Sequence, residues 1–274
     1  MADKIVIEAG ATEKNYWMDL WRYRELFYIL SWRDIKVRYK QTVIGVLWSV
    51  IRPLLTMIVF TVIFSKVAKM PAGVDAPYAV LVYAGMLPWT FFSTALSEAS
   101  NSLLGNANLI SKVYFPRMIV PSSSVITSLI DFGIAFLLMF GLYLWYGYWP
   151  DIRILAIPLF LLFAFVASMG AGLYITALNV KYRDFRYIVP FIVQFGMYIS
   201  PVGFNSSVVP EKWKYVYALN PMVGVIDGFR WCLLRGQQVI DWRTMTISLS
   251  VSCFLLWLGV HQFRKMEKTF ADII

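Results

Sequence analysis

The stretch that decides the fold reads Arg38-Tyr-Lys-Gln-Thr-Val-Ile-Gly-Val-Leu-Trp-Ser-Val-Ile-Arg-Pro-Leu-Leu55 and stays apolar as far as Phe64. Its cations end abruptly, and residues 42–64 contain one charge, Arg52. At about 1.5 Å per residue, a helix of that length crosses the hydrocarbon core of a bilayer. Cations packed before a first span usually keep that end in the cytoplasm. The stretch therefore predicts a membrane span and its sidedness together.

The composition of the 274-residue chain fits a membrane protein. Hydrophobic residues make up 59% and charged residues 15%, against about 25% charged residues in a soluble domain. The net charge of +9 falls between the apolar stretches, so positive-inside bias explains it better than nucleic-acid binding does. Two cysteines, Cys232 and Cys253, predict free thiols rather than a disulfide framework.

Apolar segments of spanning length recur along the chain, and we predict an all-α integral membrane protein with six transmembrane helices. The fourth segment holds a patch of small residues at 168–172, which allows close helix packing. The predicted spans are residues 42–64, 78–96, 118–145, 154–180, 187–204 and 244–263.

An even number of spans places both termini on one side, and the cations indicate which side. Segments on the side of the termini carry 16 of the 25 Lys and Arg residues, and opposite segments carry 8. Both termini are therefore predicted to be cytoplasmic. The long outer segment 205–243 is rich in aromatic rings. We predict two short helices there, at about 211–218 and 222–235, that dip into the outer membrane face.

The region before the first span divides into a polar tail and a helix. Residues 1–16 lack an apolar core, so we expect no signal peptide. Residues 17–40 predict an amphipathic helix that lies in the cytoplasmic interface, because a cationic stripe runs between two aromatic flanks. The transmembrane domain then covers 41–268 and a short cytoplasmic tail 269–274. The residues assigned to this interface helix are Arg22, Glu25, Arg33 and Lys36.

Motifs for catalysis are missing from the sequence. No Gly-x-x-x-x-Gly-Lys-Ser/Thr loop occurs, so we do not expect the chain to bind ATP by that device. No nucleophile elbow, carboxylate pair or metal-ligand cluster is present, and His261 is the lone histidine. The sequence thus predicts neither an enzyme nor a metal site.

Two ionisable residues, Arg52 and Asp131, lie near the middle of the first and third predicted spans. Charge at that depth costs about 2.5–3.5 kcal/mol on insertion scales, so such groups usually pair or face water. We predict that both face the bundle interior, where they could pair within one protomer or across a dimer. A secondary transporter or channel would need more such groups, or broken helices in matched halves.

Several segments resemble type-2 ABC transporter permeases that export polysaccharides, and the match covers about residues 30–268. The opening looks closest to O-antigen exporters, with teichoic-acid and group 2 capsule permeases related. The segments lie in the family order and at the family spacing. They are Arg38-Tyr-Lys-Gln-Thr-x-x-Gly45-x-x-Trp48 with Pro53-Leu-Leu, Lys112-Val-Tyr-Phe-Pro-Arg117, Asn179-Val-Lys-Tyr-Arg-Asp-Phe-Arg-Tyr-x-Val-Pro190 with Ser200-Pro201, and Leu219-Asn-Pro221 through Gly228-Phe-Arg-Trp231.

The resemblance implies a homodimeric permease of the inner membrane, bound to two copies of a separate ABC ATPase. Mg-ATP would sit on that partner, and this chain would hold no cofactor. The substrate would be an undecaprenyl-pyrophosphate-linked polysaccharide moved from cytoplasm to periplasm, with membrane lipids and no nucleic acid as further partners. Two alternatives stay open, a drug or small-lipid exporter of the same fold and a stand-alone channel.

The resemblance also assigns roles to residues. The coupling helix would cover about 104–116. The residues that would contact the ATPase around it are Lys112, Tyr114, Phe115, Pro116 and Arg117. Those of the periplasmic gate would be Pro201, Asn220, Pro221, Phe229, Arg230 and Trp231.

An aromatic stripe in the fifth segment predicts a transport path. Four rings recur there at helical steps of four, four and three, which places them on one face. The alternative is a lipid-facing or core stripe. The stripe begins at a cationic turn that could hold a lipid phosphate. The predicted channel rings are Tyr187, Phe191, Phe195 and Tyr198, with Trp48 and Trp89 opposite, and the predicted head-group contacts are Arg38, Lys40, Arg183 and Arg186.

Overall fold

The computed structural model describes residues 16–39 and 43–270, and the regular elements within these ranges are all helical. The predicted tail up to residue 15, Lys40 and residues 271–274 lie outside the described residues. The α-helices are α1 Tyr16–Arg22, α2 Arg24–Tyr39, α3 Val43–Thr61, α4 Tyr78–Gly105, α5 Ala107–Ile110, α6 Ile119–Tyr146, α7 Ile157–Lys181, α8 Phe185–Ile199, α9 Glu211–Tyr217, α10 Pro221–Leu233 and α11 Trp242–Glu267.

Five helical segments of the described ranges are long and apolar enough to cross a membrane. They are α3 with a π-helical end at Val62–Val67, α4, α6, α7 with the 3₁₀ turn Ile152–Ala156, and α11. The predicted fifth span is the shorter helix α8. Its 15 residues reach about 22 Å, less than the roughly 30 Å of a hydrocarbon core.

The helical part of this predicted span, residues 187–204, ends five residues before residue 204. Helix α8 stops at Ile199, and Ser200 is extended with ψ 152°. Ser200 precedes Pro201, whose ring disfavours helical backbone in the residue before it. The chain then turns inward, and Val202 is fully buried. This turn brings the end of α8 against the outer segment.

Helix α4 occupies the centre of the bundle, where it contacts α3, α6, α7, α8 and α10. In an 18-residue apolar stretch of α4, 83% of the residues are buried, whereas 11% are buried in the corresponding stretch of α3 and its π-helical end. The helix runs to Gly105, beyond the predicted end at residue 96. The sequence placed that end too early because the last two turns are polar. Within one chain, α4 is therefore buried by its neighbouring helices, whereas most of the apolar stretch of α3 and its π-helical end is not buried.

Helices α7 and α11 pack with their backbones in contact. A Cβ atom at Gly170 would lie 2.4 Å from the Leu256 nitrogen, and one at Gly259 would lie 2.1 Å from the Gly170 carbonyl oxygen. No side chain fits at either position. The predicted small-residue patch at 168–172 is thus confirmed as a close helix crossing.

The predicted interface helix is present as α1 and α2, with a short break at Tyr23. One aromatic flank packs on the bundle, where Leu30 is buried and Leu26 and Phe27 are partly buried. The opposite flank, which includes Trp21 and Trp32, is exposed. A helix with one largely exposed flank is therefore present at the predicted position, and its place in the membrane interface stays a prediction.

Candidate functional site

A cavity of about 860 Å³ opens between α3, α4, α6 and α8. Aromatic and hydroxyl side chains make up much of its wall, together with three charged residues. Those charged residues are Arg38, Arg52 and Asp131. The cavity combines apolar rings with cations inside the apolar bundle, so it is the candidate site of this chain.

Asp131 pairs with the last turn of α2, not with Arg52. The Arg38 guanidinium donates to one carboxylate oxygen of Asp131, and the Tyr39 hydroxyl donates to the other. Arg38 also forms an ion pair with Glu98 of α4, at 2.6 Å between Nη2 and Oε1. Within one chain the predicted Arg52–Asp131 pair therefore does not form, because the end of α2 occupies the Asp131 carboxylate, and a pair across a dimer stays a prediction. Arg38 ties α2 to two helices of the bundle.

Arg52 lines the cavity with an exposed side chain. Among the described residues, no carboxylate forms an ion pair with it, although its carbonyl accepts a hydrogen bond from Thr56 at 2.9 Å. A guanidinium in this position offers several hydrogen-bond donors to an anion that enters the cavity. The structure thus makes Arg52 a candidate ligand contact.

The two tryptophans predicted as channel walls both line the cavity. Trp48 is exposed to it and Trp89 is buried. Trp89 packs over Gly196 of α8, where an added Cβ would lie 2.6 Å from the indole. Gly196 therefore lets α8 approach α4 at the back of the cavity.

The aromatic stripe of α8 does not face those tryptophans within one chain. Its four aromatic residues lie on the outward side, and each residue is 52–79% exposed. Two of them are close neighbours, with Phe191 and Phe195 centroids 4.4 Å apart. The cavity instead receives the adjacent face of α8, through Pro190, Val193, Gln194 and Met197. Sequence analysis missed that face, although Gln194 is a polar residue inside an apolar helix.

The predicted ATPase contacts divide into exposed and buried residues. Lys112 and Tyr114 are exposed. Phe115 is 3% exposed and packs in a core cluster, and Pro116 is buried beside it. Arg117 donates from its backbone N–H to the Glu267 carboxylate at 2.7 Å and from its guanidinium to the Glu267 carbonyl. The second half of the motif, which ends at Arg117, therefore joins α6 to α11. Lys112 and Tyr114 in the first half remain available for contact with another protein.

The remaining predicted cytoplasmic residues are mostly exposed. Arg183 and Arg186 are exposed at the start of α8, and Arg22, Glu25 and Lys36 are exposed on α1 and α2. Arg33 is different, because its guanidinium binds Asp34 at 2.7 Å and the Asn106 side chain at 2.8 Å. Arg33 thus adds a second link between α2 and the end of α4.

The predicted gate residues form a buried junction at the other end of the bundle. Arg230 is fully buried and donates to the carbonyls of Val202, Phe204 and Leu81, at 2.9, 2.8 and 3.3 Å. Phe229 is also fully buried. Both residues therefore belong to the buried part of α10, and their role in a gate stays a prediction. Arg230 holds α10, α4 and the turn after α8 together.

Three further gate residues join the outer segment to α8. The Asn220 side chain caps α10 through the Met222 N–H at 3.0 Å and donates to the Ser200 hydroxyl at 2.8 Å. Pro221 supplies the first helical position, where its missing N–H costs nothing. Pro201 follows Ser200 in the same turn. A displacement of α8 would therefore be passed directly to α10.

Asp227, an acidic residue of the outer segment, has a carboxyl group with a raised pKa. Burial raises the pKa of the Asp227 carboxyl from 3.8 to about 6, and Gln238 donates to it at 2.7 Å. The folded state then favours the protonated acid. The protonated Asp227 carboxyl therefore contributes to the free energy of unfolding below pH 3.8. This contribution is lost as the pH rises through about 6.

A comparison with known protein families decides the identity of this bundle. Residues 25–234 match the model of the family described as "ABC-2 type transporter". The chain belongs to the ABC-2 type transporter family. The match covers the cavity, the α5 turn and the junction at Arg230, so these features lie within the family domain. No cluster of metal-ligating side chains occurs among the described residues of this family member.

Curated relatives of this ABC-2 family member cover nearly its whole length. The O-antigen export system permease protein RfbA of Myxococcus xanthus is 28% identical over 93% of this chain and 98% of its own. The protein of the same name from Klebsiella pneumoniae is 27% identical over 91% and 95%. The polysialic acid transport protein KpsM of Escherichia coli is 20% identical over 86% and 91%.

Proposed function

We propose that the chain is the permease subunit of an ABC transporter that exports a lipid-linked polysaccharide, O-antigen first, from cytoplasm to periplasm. Similarity over nearly the full length to O-antigen export permeases carries this proposal. The similarity to a polysialic acid transport protein supports capsule polysaccharide as the second candidate. ATP hydrolysis would take place on a separate nucleotide-binding subunit.

The cavity supports a saccharide substrate attached to an anionic lipid. Trp48 and Trp89 present ring surfaces of the kind that stack on the apolar faces of sugars. Arg52 adds a cation that a pyrophosphate group could bind bidentately. A pore for small inorganic ions would instead be lined by carbonyl groups or rings of like charge.

The open faces of α3 and α8 support a homodimer. Four apolar side chains of α3 and its π-helical end (Leu55, Ile58, Val59 and Val62) and the α8 stripe are exposed in one chain. A second copy against this side would enclose the cavity and bring two aromatic stripes together. In that arrangement the predicted path would run between the protomers, which accounts for the outward direction of the stripe.

The proposed topology has six crossings with both termini in the cytoplasm. Helix α8 would make the sixth crossing together with the buried turn at 200–204. Lys112 and Tyr114 would then face the ATPase, and the Arg230 junction would close the periplasmic end. Lys and Arg counts support this orientation.

The test is reconstitution of this chain with a candidate ABC ATPase subunit. We expect the two proteins to co-purify, and we expect a lipid-pyrophosphate-linked glycan to raise ATP hydrolysis and appear inside inverted vesicles. The same lipid without its glycan is the matched control. Transport of the bare lipid at equal rate would replace polysaccharide export with small-lipid export.

A further inference from the structure

A second cavity, of about 580 Å³, lies in the outer segment between α9, α10, the start of α11 and the turn at 205–209. None of the described residues in its wall belongs to the cavity between α3, α4, α6 and α8. Its volume is within the roughly 300–1,000 Å³ of small-molecule sites. Ser207 and Gln237 are exposed residues of its wall, so the cavity opens at the surface of the chain.

Neutral hydrogen-bonding groups make up much of the wall of this cavity. Side-chain amides and hydroxyls each offer both donors and acceptors. Three valines, Val209, Val223 and Val239, add apolar surface. Such a wall matches a ligand that has several hydroxyl groups and an apolar face. The neutral polar residues include Asn205, Ser206, Ser207, Tyr217, Gln237 and Gln238.

The charged residues of the wall are largely compensated. Lys214 pairs with Glu211 at 2.8 Å between Nζ and Oε1. Asp227 lies one helical turn before Arg230, whose buried guanidinium offsets the charge of the carboxylate. Asp241 caps α11 by accepting from a backbone N–H of the first turn at 3.0 Å, where a helix N-terminus stabilises negative charge. The described wall therefore has no large excess of either charge, which favours an uncharged ligand over an ion.

Gln238 is a buried residue of this wall with an unmet acceptor. It is 5% exposed, and its Nε2 donates to an Asp227 carboxylate oxygen at 2.7 Å and to the Ser206 hydroxyl at 3.1 Å. These two bonds fix the orientation of the amide. The Gln238 Oε1 atom has no hydrogen-bond partner among the described residues. Because a buried acceptor without a donor is destabilising, a ligand that donates a hydrogen bond would be favoured here.

We propose that this cavity binds an uncharged saccharide unit, with a sugar hydroxyl donating to the Gln238 side-chain carbonyl. Other hydroxyl groups of the sugar would bind the neighbouring amides and hydroxyls of the wall, and its apolar face would lie against the valines. The choice of a saccharide among hydroxylated ligands rests on the proposed polysaccharide export. The site would hold a sugar at the outer segment, apart from the cavity that contains Arg52.

Cysteine protection tests the site in the full chain, placed in phosphatidylcholine nanodiscs free of sugar-based detergent. Cys253 is replaced by alanine, and Cys232 is kept because it is buried. Ser207→Cys introduces a thiol in the wall. Val208→Cys is the matched control, because Val208 is exposed in the same turn and does not line the cavity. The rate of reaction with a hydrophilic thiol reagent is measured with glucose, galactose, mannose or maltotriose.

We expect at least one of these neutral sugars to slow labelling of the Ser207→Cys thiol in a saturable way, and to leave that of Val208→Cys unchanged. Gln238→Leu in the same background should raise the sugar concentration for half protection about tenfold, since it removes hydrogen bonds to the ligand. Gln237→Leu, at an exposed wall position, should raise it about threefold and keeps the test open if Gln238→Leu does not fold. Gln262→Leu, in α11 outside the cavity, should have no effect.

The absence of saturable protection by all four sugars would overturn the proposal, as would protection that Gln238→Leu and Gln237→Leu leave unchanged. Stronger protection by glucuronate, glucosamine or Ca²⁺ would replace the neutral ligand with an ion. Equal protection by glycerol at the same hydroxyl concentration would reduce the effect to a general one of polyols. Glycan-stimulated ATP hydrolysis without sugar protection would reject this site and retain polysaccharide export, whereas sugar protection without stimulation would reject export and retain the site.

Discussion

Arg38 and Asp131 form an ion pair that joins the end of the interface helix α2 to the middle of α6, with side chains 26% and 23% exposed. The same guanidinium pairs with Glu98, and Tyr39 shares the Asp131 carboxylate. One cation thus balances two carboxylates from different helices. If α2 moves when an ATPase subunit binds, α4 and α6 receive that movement through Arg38.

Substitution within this pair tests the connection. We expect Arg38→Met to lower the free energy of unfolding by about 1–3 kcal/mol, because two carboxylates lose their partner, with less cost than the 3–5 kcal/mol of a fully buried pair. Arg38→Met with Asp131→Leu should cost less than the sum of the single changes. Reversible unfolding in mixed detergent measures all three. Strict additivity would show that the pair contributes little, and Lys36→Met, at an exposed position of the same helix, is the control.

Arg52 should matter for transport and little for stability. Its side chain is exposed in the cavity and has no carboxylate partner among the described residues, so Arg52→Gln should unfold like the unmodified protein. We expect glycan export to fall about tenfold or more, since loss of a charge-assisted contact costs roughly 1.5–3 kcal/mol. Arg52→Lys should recover part of it. Lys66→Gln, an exposed cation at the end of the same membrane segment, should export normally, and equal loss in both variants would contradict a specific role.

Tyr114 and Phe115 are adjacent but should behave differently. Tyr114 is 44% exposed and Phe115 is 3% exposed. We expect Tyr114→Ala to leave the unfolding curve unchanged while lowering ATPase co-purification and glycan-stimulated hydrolysis, since exposed aromatics often dominate protein contacts. Phe115→Ala should instead lower stability by about 3–5 kcal/mol. Normal coupling in a well-expressed Tyr114→Ala protein would remove this residue from the predicted interface.

The α8 stripe can be tested by cysteine accessibility. Single cysteines at 191, 195 and 198, placed in a background without Cys232 and Cys253, should react with small aqueous thiol reagents when the transporter is active. A cysteine at 194 reports on the cavity face of the same helix. If 194 reacts while the three stripe positions stay protected in every state, the stripe faces lipid and the path between protomers is wrong.

Gly259 and Gly133 provide a matched pair for the crossing of α7 and α11. A Cβ at Gly259 would lie 2.1 Å from a carbonyl oxygen, whereas nothing lies within 4 Å of one at Gly133. We expect Gly259→Ala to lower stability by about 1–3 kcal/mol, the usual cost of overpacking. Gly133→Ala should be neutral or slightly stabilising, because alanine is the better helix former. Equal melting temperatures for the two variants would show that the crossing can relax.

The sequence by itself determined the helical class, the short helices of the outer segment, and five of the six predicted spans as helices long and apolar enough to cross a membrane. Each depends on local information, namely the length of an uncharged run, the cations at its end, or a proline that stops a helix. The patch at 168–172 was likewise readable, since glycine and serine leave room for a neighbouring backbone. Local sequence also placed the aromatic stripe on one face of α8.

Only the tertiary structure decided which side chains meet. Asp131 was expected to pair with Arg52, yet Arg38 reaches it because α2 packs against α6. Phe115 was predicted to contact the ATPase, but it packs in a core cluster, and Arg230 of the predicted gate is fully buried in α10. A helical period fixes which residues share a face, and only the arrangement of neighbouring helices fixes whether that face meets the core, the cavity or the outside.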